Sequence, residues 1–195
     1  MVMQVLHAPL GLDGDEKKTF TLSQVASENR LHEMEFTFPL KCITAKALET
    51  ELARWGYGAV SGEELVMEGL SFSPVKGYLK GFIDLIFQVN GRFAVLDWKS
   101  NHLGNCAERY THETIGRTMN EHRYTLQFLL YTVAVRRHLM LKLGEAFDYD
   151  SHMAGALYLF VRGVDEKGHG VYFNRPEAGC IEALDRLLID DEVKL

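Results

Sequence analysis

The sequence predicts an α/β fold, a sheet sandwiched between helices, on three observations. Two β-rich runs meet at Asn90-Gly91, helical periodicity runs from Glu121 to Leu143, and a continuous apolar stretch of strand length spans Met153 to Val161. A length of 195 residues lies in the ordinary range of one domain and is enough to bury a proper core. Apolar residues at 47% and charged residues at 25% are close to average soluble usage, which excludes a disordered or fibrous chain.

The elements follow in order. Residues 1 to 30 are polar with weak helical signals and begin without a cap, so they read as the stub of a longer upstream region. A first strand is predicted at Glu33 to Leu40, where Met34, Phe36 and Phe38 alternate with Glu33, Glu35 and Thr37, and Pro39 suits a strand margin. A helix follows over Thr44 to Trp55, with Gly56 and Gly58 to end it. Tyr78 to Val89 and Arg92 to Lys99 form a hairpin, because Asn-Gly favours the type I′ turn. One face of the hairpin carries Ile83, Leu85, Phe87, Val89, Ala94, Leu96 and Trp98, and the other Ile86, Phe93 and Val95. Strands apolar on both faces belong inside a covered sheet. After Asn101 to Gly104 the pattern turns helical, and Glu121 to Leu143 reads as one long helix. Met153 to Val161 is the next strand, Val171 to Asn174 a short one, and Pro176 opens a final helix through about Leu188.

Composition narrows the function classes. No apolar stretch is long enough to span a bilayer and the N-terminus lacks the order of a signal peptide, so a cytoplasmic protein is expected. Cys42, Cys106 and Cys180 are too scattered for a disulfide framework or a metal cluster and read as reduced thiols. The formal charge of −6 is unlike that of a free-standing nucleic-acid binder, which carries a basic face. Either nucleic acid is not the ligand, or something else delivers it.

The chemistry concentrates in the hairpin. With Asn90 and Gly91 as turn residues Val89 faces Arg92, and counting outward sets Asp84 opposite Asp97. Opposed side chains have Cβ atoms about 5 Å apart, and like charges so placed are destabilising. A shared proton or a divalent cation offsets that repulsion, and magnesium, which takes one or two carboxylates plus waters and substrate phosphates, is the favoured reading. Lys99 lies two residues after Asp97 and shares its face, where an ammonium can orient a water or offset phosphate charge. The bland alternative is a structural ion network, but three ionisable residues within apolar strands cost several kcal/mol each to desolvate. Gln127 and Tyr131 stand four apart on one helix face and, by themselves, fit a face bordering the core. Arg117, Arg123, Arg136 and Arg137 add positive charge near that helix, and basic residues on helices are usually a solvated face. His32 and His122 have no partner at ligand spacing.

The segments GFIDLIF (81 to 87), VLDWKSNHLG (95 to 104), HRYTLQFLLYTVAV (122 to 135), ALYLFVRGVD (156 to 165) and NRPEAG (174 to 179) resemble the C-terminal nuclease domain of the RecB family. That family is a branch of the PD-(D/E)xK nucleases, and the resemblance covers nearly the whole chain. It implies a mixed central β-sheet flanked by helices, the restriction-endonuclease-like core. It also implies that Asp84 is the first metal-binding aspartate, that Asp97, Trp98 and Lys99 are the DxK motif, and that Gln127 and Tyr131 are the QxxxY motif. Asp84, Asp97 and the backbone carbonyl of Trp98 would hold Mg2+, with Asp84, Asp97 and Lys99 catalytic and Gln127 and Tyr131 contacting DNA or supporting the site. The family's further histidine ligand lies upstream of the first strand and has no counterpart here, and His7 does not fill that role. No GxxxxGK[ST] loop is present, so the helicase motor that precedes such domains is missing.

The expectation is therefore one RecB-type nuclease domain over 1–195, cutting DNA phosphodiesters with Mg2+ during double-strand break processing and recombination. Its expected partners are DNA, the helicase and accessory subunits of a RecBCD-type complex and a recombinase, with no membrane. Such subunits would feed DNA to an acidic domain. A catalytically weak or inactive docking module is the alternative, which intact Asp84, Asp97 and Lys99 disfavour. A phage-type exonuclease or a junction resolvase is a further possibility, disfavoured by the length of the match and the QxxxY helix.

Overall fold

Asn90 and Gly91 take φ values of 53° and 78°, the paired positive φ of a type I′ turn, and this turn sets the register of the sheet. From it the pairs run Val89↔Arg92, Gln88↔Phe93, Phe87↔Ala94, Ile86↔Val95 and Leu85↔Leu96. The computed structural model describes residues 2–12, 19–57 and 75–190. In chain order the helices are α1 (Val2–His7), α2 (Ala45–Arg54), α3 (His112–Glu121), α4 (Tyr124–Leu143), α5 (Tyr149–His152) and α6 (Ala178–Leu188). The strands are β1 (Leu10–Gly11), β2 (Thr19–Phe20), β3 (Arg30–Ile43), β4 (Val75–Val89), β5 (Arg92–Lys99), β6 (Met153–Phe160) and β7 (Val171–Asn174). Among them β3 to β7 form one sheet in the order β3-β4-β5-β6-β7. Only the β5–β6 pairing is parallel, so the sheet is mixed, as expected.

Two cores lie on opposite faces of this sheet. On one, α2, α3, α4 and α6 supply Leu48, Leu52, Ile115, Met119, Phe128, Leu129, Ile181 and Leu184 against Ile86, Val95, Ala156 and Tyr158. On the other, Val5, Ala8, Leu10, Leu12, Leu22 and Val25 cover Leu85, Phe87, Ala94, Leu96, Leu157 and Leu159. The N-terminal segment, which reads as polar in the sequence, thus closes the second face. Its apolar residues are too irregularly spaced to show a period.

Several predicted elements differ in detail. The first strand is longer than Glu33 to Leu40, because β4 pairs with it from Arg30↔Phe87 to Ile43↔Val75. Thr44 caps α2 by accepting from Ala47 N–H at 3.2 Å, and Gly56 takes φ 75° after it. Gly58 lies outside the described residues. The long helix begins at Tyr124 rather than at Glu121, which instead ends α3, because Arg123 adopts a left-handed φ of 58° that no helix continues through. Pro176 precedes α6 rather than opening it, with Glu177 at the N-cap position.

The face assignment fails at one residue. Ile83 and Ile86 both lie in the helix-side core, while Leu85 and Phe87 lie in the other. Alternation therefore slips between Ile83 and Leu85, at Asp84. Across from it Glu33 takes φ 51°, between the pairs His32↔Leu85 and Met34↔Ile83, and strict alternation holds only while the backbone stays extended. Trp98, assigned to an apolar face, is 36% exposed beyond the end of the second core.

Candidate active site

Asp97 and Lys99 sit on the helix-side face at the C-terminal end of β5, both buried, with Lys99 Nζ 2.6 Å from Asp97 Oδ2. The shared face follows from the two-residue period of a strand. Lys99 Nζ also donates to Gln127 Oε1 at 2.8 Å. Gln127 accepts a second hydrogen bond there from Tyr158 OH at 3.1 Å, and its Nε2 donates to Tyr131 OH at 2.8 Å. The ring of Tyr124 covers the ammonium at 3.8 Å from its centroid, a cation–π contact, and the ring of Tyr158 lies at 5.0 Å. Gln127 and Tyr131 thus meet one turn apart on α4 as the spacing predicts, and the pair reaches Lys99.

Asp84 enters from β4. The ladder between β4 and β5 ends at Leu85↔Leu96, and one further step in that register sets Asp84 against Asp97. There the Asp84 carboxylate takes the place of the ladder: Trp98 N–H donates to Asp84 Oδ2 at 3.0 Å. The main chain of Trp98 is thereby held between the two acids while its indole points away from them into solvent.

Burial holds the Asp97 carboxyl above its ordinary value; Lys99 pulls it down and the Asp84 charge pushes it up. Burial likewise raises the phenol of Tyr131 to about 12, and it raises that of Tyr158 further, with the charge on Asp97 adding to both. Both hydroxyls stay protonated in neutral solution. Asp97 Oδ2 is buried and, apart from the Lys99 ion pair, receives no well-directed hydrogen bond. A buried acceptor left in that state costs free energy, and a cation relieves it. Together with Asp84 and the Trp98 carbonyl it makes an all-oxygen donor set, which suits a hard divalent ion. Among the described residues no three of His, Cys, Asp and Glu cluster into a closed cage. His7 bonds Ser23 Oγ through Nδ1 at 3.0 Å.

Tyr124 and Tyr158 escape the sequence reading. Tyr124 stands three residues before Gln127 on the same helix face, and Tyr158 pairs with Asp97 across β5 and β6. The first was visible in the helical spacing; the second required the register of a parallel pair, which no local signal sets. Of the four arginines near the helices, Arg136 and Arg137 are held by Asp185 at 2.8 and 2.6 Å, and Arg117 faces Glu113 at 3.6 Å.

Comparison with known proteins places the chain in a family. A sequence profile described as the PD-(D/E)XK nuclease superfamily matches residues 4–190. Curated relatives named RecBCD enzyme subunit RecB are 38% identical over 189 residues in Escherichia coli, 29% over 185 in Haemophilus influenzae and 32% over 197 in Mycobacterium tuberculosis. These alignments cover 95%, 94% and 90% of this chain but 15%, 14% and 18% of the relatives, so the chain spans about one sixth of their length. With a profile match over almost its full length and the mixed sheet flanked by helices, the chain belongs to the PD-(D/E)XK nuclease superfamily.

Proposed function

We propose that this chain is a magnesium-dependent DNA nuclease domain of the RecB type, over residues 1–195, hydrolysing phosphodiester bonds during double-strand break processing and homologous recombination. The observation that carries the reading is the buried Asp97–Lys99 pair, held by Gln127 and set beside Asp84. Buried charges of this kind are costly to desolvate, which favours a functional role over a purely structural one. Asp84, Asp97 and the Trp98 carbonyl would hold the ion, which supplies Lewis acidity toward the scissile phosphate and lowers the pKa of the attacking water.

The protein's own groups do the rest. Lys99 has one hydrogen bond to Gln127 Oε1 and one aromatic face above it, so its ammonium is confined to a small volume next to Asp97. From there it orients the water for in-line attack and offsets charge on the phosphate as that charge grows. Tyr131 and Tyr158, both protonated, fix Gln127 from either side of its amide. The relatives are named as a subunit of the RecBCD enzyme, and the proposal extends that to DNA as substrate, to helicase and accessory subunits of a RecBCD-type complex as partners, and to a recombinase as a further one. Delivery by such subunits accounts for a net charge of −6. No described helix is long and apolar enough to cross a membrane, and a cytoplasmic site of action fits this.

The test is degradation of linear duplex DNA by the parent and by Lys99→Ala. Cleavage is expected to require added magnesium, to stop with chelator, and to fall by about 10² to 10³ in Lys99→Ala with magnesium binding retained. Equal rates for the two proteins would overturn the reading.

A further inference from the structure

The segment Arg162-Gly163-Val164-Asp165 follows β6 on the rim of the site, and the structure fixes it there. Phe160 pairs with Lys99, Val161 N–H donates to the Lys99 carbonyl at 2.9 Å, and Arg162 Nε donates to the Ser100 carbonyl at 2.8 Å. The guanidinium is therefore anchored one peptide beyond Lys99. Behind it the two rim loops are locked together by Tyr110. Its ring lies so close to Gly163 that a Cβ there would stand 2.0 Å from Cγ, and its carbonyl accepts from Gly170 N–H at 3.0 Å. Its hydroxyl accepts from Leu103 N–H at 3.2 Å and lies 3.4 Å from the Asn101 carbonyl.

Arg162 lacks a counter-charge beside Lys99; Arg30 and Arg109 also make no ion pair among the described residues, but neither is bonded to the Lys99-Ser100 segment. Arg54, Arg117, Arg136, Arg137, Arg175 and Arg186 all face carboxylates. Arg162 is exposed and, among the described residues, makes no ion pair; the Ser100 carbonyl uses only Nε. Its two terminal nitrogens remain as a planar fork directed by a rigid loop, the geometry that suits a phosphate. In a chain of net charge −6, a fixed and unpaired guanidinium beside the reacting lysine is the cation placed to hold substrate.

We infer that Arg162 binds a backbone phosphate of the DNA strand next to the scissile one, setting the strand's register over Asp84, Asp97 and Lys99. This rests on the nuclease reading above and deepens it. The ligand is a phosphodiester oxygen pair, so the contact is sequence-independent.

The test is binding of a fluorescein-labelled single-stranded oligonucleotide by anisotropy, in chelator, across a salt series. The parent is compared with Arg162→Ala, Arg162→Lys and Lys142→Ala. Lys142 gives the same change in net charge from the far end of α4, about 22 Å along the helix from Gln127. Arg162→Ala is expected to weaken binding about tenfold, the equivalent of one charge-assisted phosphate contact, and to make the slope of log K against log salt shallower by about 0.7. Arg162→Lys is expected to recover the slope and part of the affinity, and Lys142→Ala to match the parent. Unaltered affinity and slope in Arg162→Ala overturn the inference while leaving the nuclease reading intact, as does an equal loss in Lys142→Ala. A parent that binds no oligonucleotide at any salt overturns both.

Discussion

Asp97 lies between a cation and a second carboxylate, and burial outweighs both in setting its proton affinity. The folded chain therefore binds a proton at this carboxyl at pH values where the unfolded chain has already released it. The sign follows: stability is lost as pH rises from the ordinary carboxylate value through the raised one, and the deficit is constant above it. Asp97→Asn removes this loss. Urea midpoints of parent and Asp97→Asn, measured across that window, are expected to diverge in favour of the variant as pH rises; a constant difference would remove burial as the governing effect. At this scale much of the site was legible. Counting outward from Asn90-Gly91 set Asp84 opposite Asp97, and a period of two put Lys99 beside it. The contact of Tyr124 with Lys99 crosses from helix to strand and depends on how the layers pack, and that of Tyr158 depends on the parallel register of β5 and β6, so the helical spacing put Tyr124 on the Gln127 face but named neither as a lysine partner.

The two strands β5 and β6 end in loops that meet at Tyr110, and Gly163 is the point of closest approach. An added methyl group there has an aromatic ring in its way, and the chain just before it is tied down by Val161 N–H on the Lys99 carbonyl and the Arg162 side chain on the Ser100 carbonyl. Gly163→Ala is expected to cost about 1–3 kcal/mol, the range for overpacking a tight interior, read as a lowered urea midpoint. An unchanged midpoint would show that the Tyr110 ring can move aside. Elements with a strong local cause were read correctly: the hairpin from its turn dipeptide, α2 from Thr44 and Gly56, β7 from its β-branched and aromatic run. The start of α4 was not, being set at Glu121 instead of Tyr124, since nothing in His122-Arg123 announces a left-handed residue. The slip of side-chain alternation at Asp84 was also hidden, because it lies across from Glu33, which falls between the paired residues His32 and Met34 of a strand distant in sequence.

Two cores on a shared sheet place the candidate site where the helix layer, the sheet and the β5–β6 loops converge. The helix-side layer was readable as elements, the helices α2, α4 and α6. The other was not, because Val5, Leu10, Leu12, Leu22 and Val25 come from irregular backbone and two very short strands, where no period exists to be seen. The helix layer is tied internally by Asp185, which bridges Arg136 and Arg137 of α4 to α6, so those cations serve the fold rather than a ligand. A net charge of −6 is in keeping with the proposal that other subunits deliver the substrate. The most direct measurement is magnesium binding by isothermal titration to the parent and to Asp97→Ala, with chelator-treated protein. Saturable binding by the parent and its loss in Asp97→Ala is the expected result; undiminished binding in Asp97→Ala would contradict the assignment of the metal to this carboxylate and with it the proposed chemistry.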